Sequence, residues 1–189
     1  LHSTSRRQRQ MCIRDRIPVY YEVFYKYQQG YENIKNVFTI HNIQYQGNYG
    51  KEVLNEVMGL PMYHMSLLEY DGGVNMMKGA IETADKVTTV SPSYAWEILD
   101  PWYSHGMDRI LRTKQYKLSG ILNGIDVNGY DPETDEIIEK NYSARSTVGK
   151  KVCKAKLLAE LGLQEGNEPV IGIVTRFVSH KGIDLIKYV

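Results

Sequence analysis

Residues 37–47 read VFTIHNIQYQG, and this stretch decides the predicted fold. Residues 37–40 are β-branched or aromatic, which predicts a buried strand. The strand runs directly into His41 and Asn42, whose side chains suit hydrogen bonding better than a core. Ligands of open α/β sheets bind just beyond the carboxyl ends of the strands, so both residues are candidate ligand contacts. The alternative is that Asn42 forms a turn and His41 is a buried histidine with satisfied hydrogen bonds.

A second apolar run, VIGIVT at residues 170–175, is typical of a parallel strand covered on both faces. The loop after it carries Arg176 and Lys181, and a helical pattern follows through Leu185 and Ile186. A short loop between a strand and a helix offers backbone N–H groups to an anion. The guanidinium of Arg176 can form paired hydrogen bonds with phosphate oxygens, and the ammonium of Lys181 adds a compact positive charge. Together they predict a phosphate or diphosphate site. The alternative is a pair of solvated surface cations.

The remaining pattern alternates strands with helices, which predicts a parallel α/β architecture. Ser91 and Pro92 predict a helix start, as an N-cap followed by proline in the first turn. The Met-rich stretch 50–73 shows little strand signal and predicts a loosely packed helical insertion, with a flexible lid or a partner surface as the alternative. Helices are predicted over residues 17–30, 74–85, 92 to about 99 and 150–161, and strands over residues 86–91 and 118–122.

The strand predicted at residues 118–122 ends at Asn123-Gly124. Asn-Gly is a strong turn signal, and one alternative is a β-hairpin. Because no second alternating strand follows at once, a strand end that faces a ligand fits better, and Asn123 is a third candidate contact.

Composition and charge exclude several classes of protein. The 189 residues are 42% hydrophobic and 24% charged, as in globular proteins, and no apolar run approaches the ~20 residues of a membrane span. The net charge is +1, but residues 1–16 contribute +4, so the remainder carries about −3 and shows no nucleic-acid footprint. Cys12 and Cys153 lie far apart, which argues against a disulfide framework and fits a reducing cytoplasm.

Residues 1–16, LHSTSRRQRQMCIRDR, lack apolar periodicity of either kind. They can be interpreted as a basic nucleic-acid arm, as a transit peptide or as translated sequencing-adapter read-through. We favour the last, so that the native sequence begins near Ile17 and the chain is a fragment cut at both ends. The predicted organisation is then one domain over 17–126, a connection over 127–149 and the start of a second domain over 150–189.

Metal and cofactor motifs are missing from the sequence. The five histidines form no i,i+4 pair and no cluster with cysteine, so we expect no metal. A nucleophile elbow and the glycine-rich loops of the Walker and dinucleotide types are also missing, so we expect no cofactor. The His-Asn strand end, the Asn123 strand end and the Arg/Lys loop together suit a sugar-phosphate or nucleotide-sugar ligand held between two α/β domains.

Five segments in matching order and spacing carry a family resemblance: HNIQYQG, KGAIETADKVTTVSPSYAWEI, LSGILNGID, PETD and TRFVSHKGIDL. Over residues 17–189 the chain closely resembles bacterial glycogen (starch) synthases of glycosyltransferase family 5. The resemblance implies the α/β glycosyltransferase-B fold, with two domains and the active site in the cleft. It implies transfer of glucose from ADP-glucose to the non-reducing end of an α-1,4-glucan such as glycogen, with retention of configuration.

The resemblance also implies residue roles. His41 matches the family's cleft histidine that contacts the transferred glucose, flanked by Asn42, Tyr45 and Gln46 as sugar or acceptor contacts. Asn123 matches the donor-side asparagine of the Asn-Gly-Ile/Val-Asp motif, and Arg176 and Lys181 match the cations that hold the diphosphate.

The chain departs from the family pattern in four places, one of which is His180, where many members carry glutamine. The Lys-x-Gly-Gly-Leu donor loop, the Asp-Trp-His-Thr motif and the C-terminal acidic motif are missing, so we expect the fragment to be inactive alone. Two rivals stay open: a transferase of the same fold that uses UDP-glucose or another acceptor, and a catalytically inactive glucan-binding homologue.

Overall fold

A computed structural model describes residues 6–178 and 181–186. The chain divides into two compact units, Leu1–Gly124 and Ile125–Val189, and each is described by itself. In chain order the elements are α1 (Arg6–Tyr20), β1 (Val37–Ile40), β2 (Asn48–Tyr49), α2 (Val53–Glu56), α3 (Met65–Leu68), β3 (Glu69–Tyr70), β4 (Gly73–Asn75), α4 (Met76–Thr83), β5 (Lys86–Thr89), α5 (Pro92–Glu97), α6 (Asp108–Thr113), β6 (Leu118–Gly120), α7 (Gly149–Glu160) and α8 (Ile183–Ile186).

A three-stranded parallel sheet forms the centre of the first unit, in the order β1-β5-β6. Ile40 pairs with Thr89, and Thr89 pairs with Gly120, so all three strands end level with one another. Phe38 and Ile40 alternate inward from β1 and pack with Val87 and the buried face of α4. These observations confirm the predicted strands and the parallel α/β architecture.

The predicted helix boundaries around the sheet are largely confirmed. The Ser91 hydroxyl accepts a hydrogen bond from the Tyr94 N–H at 3.0 Å, and Pro92 begins α5, as the sequence predicts. The helix predicted over 74–85 exists as α4, but it starts at Met76 because residues 73–75 form β4.

A small antiparallel sheet, ordered β2-β4-β3, corrects the prediction for residues 50–73. The region does hold the short helices α2 and α3, but Asp71 and Gly72 join β3 to β4 with φ of 48° and 77°. Positive φ at both central residues is the mark of a type I′ hairpin turn. Strands of two or three residues are too short to show the alternation on which the prediction relied.

The first helix is the second correction. The sequence predicts a helix over 17–30, whereas α1 begins at Arg6 and continues as a π-helical turn that ends at Tyr25. Gly30 does adopt a positive φ of 91°, but it lies among turns beyond the helix. The fully buried Val19 packs with Leu54, Leu60, Leu68 and Val74 beside the small sheet.

The second unit contains α7, which confirms the helix predicted over 150–161, with Gly162 closing it at φ +66°. The prediction of a strand at residues 170–175 is wrong. These residues are exposed and form no strand, since the described part of this unit offers no neighbouring strand to complete a hydrogen-bond ladder. The helix predicted through Leu185 and Ile186 exists as α8. Among the described residues, no helix is long and apolar enough to cross a membrane.

Candidate functional site

The carboxyl edge of the parallel sheet carries two of the predicted site residues. His41 directly follows β1, and Asn123 follows β6 by two intervening residues. Both side chains are exposed, and β5 separates their strands. The Ile121 N–H donates to the Thr89 carbonyl at 2.9 Å, which extends the β5–β6 pairing one residue beyond the strand. The structure therefore places His41 and Asn123 at the same edge of one sheet, where α/β folds bind their ligands.

Gly120 allows the chain to reach this edge. A Cβ atom at this position would lie 2.0 Å from the Ser91 carbonyl oxygen, so only glycine fits where β6 passes the start of α5. The close approach fixes the segment that leads to Asn123.

The turn after His41 is held by internal hydrogen bonds. The Asn42 side-chain oxygen accepts from the Gln44 N–H at 2.9 Å, which is an Asx turn. The buried Ile43 donates its N–H to the Tyr94 hydroxyl at 3.0 Å. Burial of Tyr94 raises the pKa of its phenol. The alternative interpretation of Asn42 as a turn residue is therefore what the structure shows, whereas His41 is exposed rather than buried.

Gln46 is buried, with 6% of its surface exposed, and both ends of its side-chain amide are engaged. Its Nε2 donates to the His105 carbonyl at 2.9 Å, and its Oε1 accepts from Asn75 Nδ2 at 2.8 Å. Asn75 also caps α4 by accepting from the Lys78 N–H at 2.8 Å. Tyr45, next to Gln46, is half-buried. Gln46 thus ties the segment after His41 to the start of α4.

A cavity of about 280 Å³ opens beside His41 and is lined by β1, Met77 and the end of α1. Burial raises the pKa of Asp15 in its wall to about 7, against the opposing effect of Arg14. Among the described residues, Asp15 Oδ2, Arg16 Nε and Asn36 Nδ2 are buried without a hydrogen-bond partner. Hydrogen-bonding capacity is therefore available in and around this cavity.

The predicted phosphate loop lies in the second unit. Arg176 and Lys181 are both exposed, and Val178 folds the loop by donating its N–H to the Arg176 carbonyl at 2.9 Å and accepting from the Lys181 N–H at 3.0 Å. Within the described part of the chain, neither side chain forms a hydrogen bond or an ion pair, so both charges are available to a ligand. Residues 179 and 180 of the loop lie outside the described residues.

Sequence reasoning missed Asn75, Tyr94 and His105. A signal exists for Asn75, because asparagine is a preferred N-cap, but the apolar helical pattern continues on both sides of it and hides the helix start. No pattern in the sequence joins Gln46 to His105 across 59 positions. In the part of the chain that the structure describes, no group of three or more His, Cys, Asp or Glu side chains could hold a metal ion.

Comparison with known proteins gives a consistent result. The family model described as starch synthase catalytic domain matches residues 16–113, about half of the chain. Proteins named glycogen synthase are similar along most of it: 41% identity in Exiguobacterium sibiricum and 43% in Finegoldia magna, each over 92% of this chain, and 44% over 90% in Streptococcus agalactiae serotype III. The chain spans 36 to 37% of the length of these relatives.

A solved structure shares the fold. It is the catalytic domain of starch synthase IV from Arabidopsis thaliana bound to ADP and acarbose, with a TM-score of 0.82 and 33% identity. The match covers 92% of this chain and 36% of that one. This likeness confirms the predicted α/β fold of the glycosyltransferase-B type. By fold and by sequence, the chain belongs to the starch synthase catalytic domain family.

Proposed function

We propose that the protein to which this chain contributes is a cytoplasmic glycosyltransferase that moves glucose from ADP-glucose to the non-reducing end of an α-1,4-glucan, with retention of configuration. The observation that carries the proposal is the placement of exposed His41 and Asn123 at one carboxyl edge of the parallel sheet, in a chain of the starch synthase family. The solved relative bound to ADP and acarbose supports the same pair of substrate classes, a nucleotide and a sugar chain.

His41 is the residue to which we assign contact with the transferred glucose. Its side chain is exposed beside the cavity next to β1, where an imidazole can donate to or accept from a sugar hydroxyl. Asn123 contacts the donor from the end of β6, at the same edge of the sheet. Tyr45 serves as an acceptor contact. Asn42 and Gln46 act as positioning residues, because internal hydrogen bonds already engage their side chains.

Arg176 and Lys181 hold the diphosphate of the donor in this proposal. The ADP leaving group becomes more negative as the bond to glucose breaks, so fixed cations stabilise the transition state more than the ground state. Their exposed side chains are free of internal ion pairs within the described residues, which supports this role. No metal ion is needed to balance the leaving-group charge if both cations bind it.

The experiment is a donor comparison with the protein expressed from the complete gene. Labelled ADP-glucose and UDP-glucose are offered separately with glycogen, and incorporation into the polymer is measured together with the anomeric configuration of the new bond. The proposal predicts α-1,4 transfer from ADP-glucose at a rate well above that from UDP-glucose. Preference for UDP-glucose would refute the donor assignment, and transfer from neither would refute the enzyme and favour an inactive glucan-binding homologue.

A further inference from the structure

A second cavity, of about 880 Å³, lies in the first unit and shares no lining residue with the cavity beside His41. Two left-handed turns form its walls: Asp71-Gly72, with φ of 48° and 77°, and His105-Gly106, with φ of 47° and 85°. Among the described residues, Asp71 and His105 are the non-glycine residues with positive φ, and both line this cavity. We call it the hairpin pocket.

The hairpin turn explains the conformation of Asp71, since Asp-Gly suits a type I′ turn. His105-Gly106 forms a second turn of this kind, closed by the Met107 N–H, which donates to the Ser104 carbonyl at 3.1 Å, and neighbouring side chains hold it as well. Gln46 donates to the His105 carbonyl at 2.9 Å, the Tyr70 hydroxyl donates to the Gly106 carbonyl, and the buried Ser104 hydroxyl accepts from the Gly106 N–H at 3.2 Å. These hydrogen bonds fix a turn that contains a left-handed histidine, a conformation that non-glycine residues adopt infrequently. The pocket wall is therefore preorganised.

Three polar side chains of the hairpin pocket are free to bind a ligand. Asp71, His105 and Arg109 are exposed, and none of them makes a side-chain hydrogen bond or an ion pair within the described part of the chain. Together they offer a carboxylate acceptor, an imidazole and a guanidinium donor. Tyr49 and Tyr70, both half-buried, add aromatic surface to the same walls.

The charges of the pocket select the ligand class. Asp71 and Asp108 place two carboxylates against the single guanidinium of Arg109, which disfavours an anion such as a nucleotide. A metal is not supported, because the described residues contain no suitable ligand group. A neutral ligand rich in hydroxyls fits, since each hydroxyl both donates and accepts hydrogen bonds and sugar rings pack on aromatic side chains.

We propose that the hairpin pocket binds a short segment of an α-glucan chain, as a second sugar site separate from the His41 edge. That the sugar is an α-glucan rests on the proposed function, whereas the affinity for a neutral, hydroxyl-rich ligand rests on the pocket alone. The site holds the polymer close to the protein without taking part in glucose transfer.

The test uses the full 189-residue chain, isotope-labelled for NMR and titrated with maltoheptaose. Saturable shifts are expected at the Gly72 and Gly106 amides, and ADP is expected to leave both unchanged. Asp71→Asn keeps a residue suited to the type I′ turn, so it removes the charge without unfolding the hairpin. Asp71→Asn and Arg109→Ala should each weaken maltoheptaose binding about tenfold, the scale of one lost charge-assisted hydrogen bond.

Two control variants, Arg145→Ala and Lys151→Ala, replace exposed cations of the second unit. Both should leave the affinity of the hairpin pocket for maltoheptaose unchanged. The absence of saturable shifts at Gly72 and Gly106, or an affinity that neither pocket variant alters, overturns the proposal. Binding in the pocket without glucose transfer by the complete protein refutes the proposed function only, and transfer without pocket binding refutes this inference only.

Discussion

Asn75 and Gln46 form a buried amide pair, in which Asn75 Nδ2 donates to Gln46 Oε1 at 2.8 Å. Through this pair the N-cap of α4 is joined to the segment that leads away from His41. The same Gln46 side chain reaches the His105 carbonyl at the hairpin pocket. One buried glutamine thus supports the segment beside the proposed transfer edge and the wall of a second cavity.

Replacing Asn75 by alanine removes this support. The loss of the N-cap and an unsatisfied Gln46 oxygen should together lower the free energy of unfolding by about 2–4 kcal/mol. Urea denaturation of the purified chain measures the change. Asn48→Ala, at an exposed position, is the matched control. If both variants unfold at the same urea concentration, the amide pair does not support the fold.

Replacing Tyr94 by phenylalanine leaves the buried Ile43 N–H without its acceptor. We expect a loss of about 1–3 kcal/mol in the free energy of unfolding, the cost of one unsatisfied buried donor. Urea denaturation measures this as well, and Tyr103→Phe, at an exposed position, serves as the control. A Tyr94→Phe variant as stable as the control would show that the turn after His41 is held by other contacts.

The raised pKa of Asp15 makes stability depend on pH. Burial lifts the pKa from 3.8 to about 7 in the folded state, so the folded chain keeps a proton that the unfolded chain has lost. With all other groups unchanged, the free energy of unfolding should therefore be highest below about pH 4, and ionisation of Asp15 should lower it as the pH rises to about 7. Asp15→Asn should stabilise the chain at about pH 8 by up to about 4 kcal/mol and have no effect below about pH 4.

Chemical denaturation across this pH range, with the exposed Asp71→Asn as control, measures the effect of Asp15. If the difference in stability between Asp15→Asn and the parent is the same at low and at high pH, the assigned pKa is wrong. Among the described residues, Asp15 Oδ2 is buried without a hydrogen-bond partner, in agreement with the raised pKa of this carboxyl.

Removing the positive charge of Arg176 or of Lys181 should slow glucose transfer by the complete protein. Arg176→Ala and Lys181→Ala should each lower kcat about 10²- to 10³-fold, equivalent to roughly 3 kcal/mol of transition-state stabilisation. Steady-state rates with ADP-glucose measure this, with the exposed Lys151→Ala on α7 as control. An unchanged kcat in both variants would show that Arg176 and Lys181 are solvated surface cations.

The parallel sheet of the first unit could be predicted from the sequence because its strands and the helix after β5 have local sequence signals. The apolar runs at β1 and β5 and the Ser91-Pro92 helix start are short-range patterns, and the structure confirms each. The hairpin at Asp71-Gly72 also had a local signal, since Asp-Gly favours type I′ turns, but the strands beside it are too short to support it by periodicity.

What the sequence could not show depends on distant partners. Gln46 looks like a ligand contact in HNIQYQG, and only the positions of Asn75 and His105 reveal that its amide is already engaged. The apolar run at 170–175 is a strand only when another strand lies beside it, and no local pattern tells whether one does.

The kcat of His41→Ala in the complete protein tests the central claim most directly. If this imidazole contacts the transferred glucose, glucose transfer from ADP-glucose to glycogen should fall at least about 10²-fold, the scale of losing one preorganised contact, with circular dichroism unchanged. His64→Ala, a half-buried histidine away from the sheet edge, should retain full activity. A His41→Ala enzyme that keeps its fold and transfers glucose within about twofold of the parent rate would contradict the account.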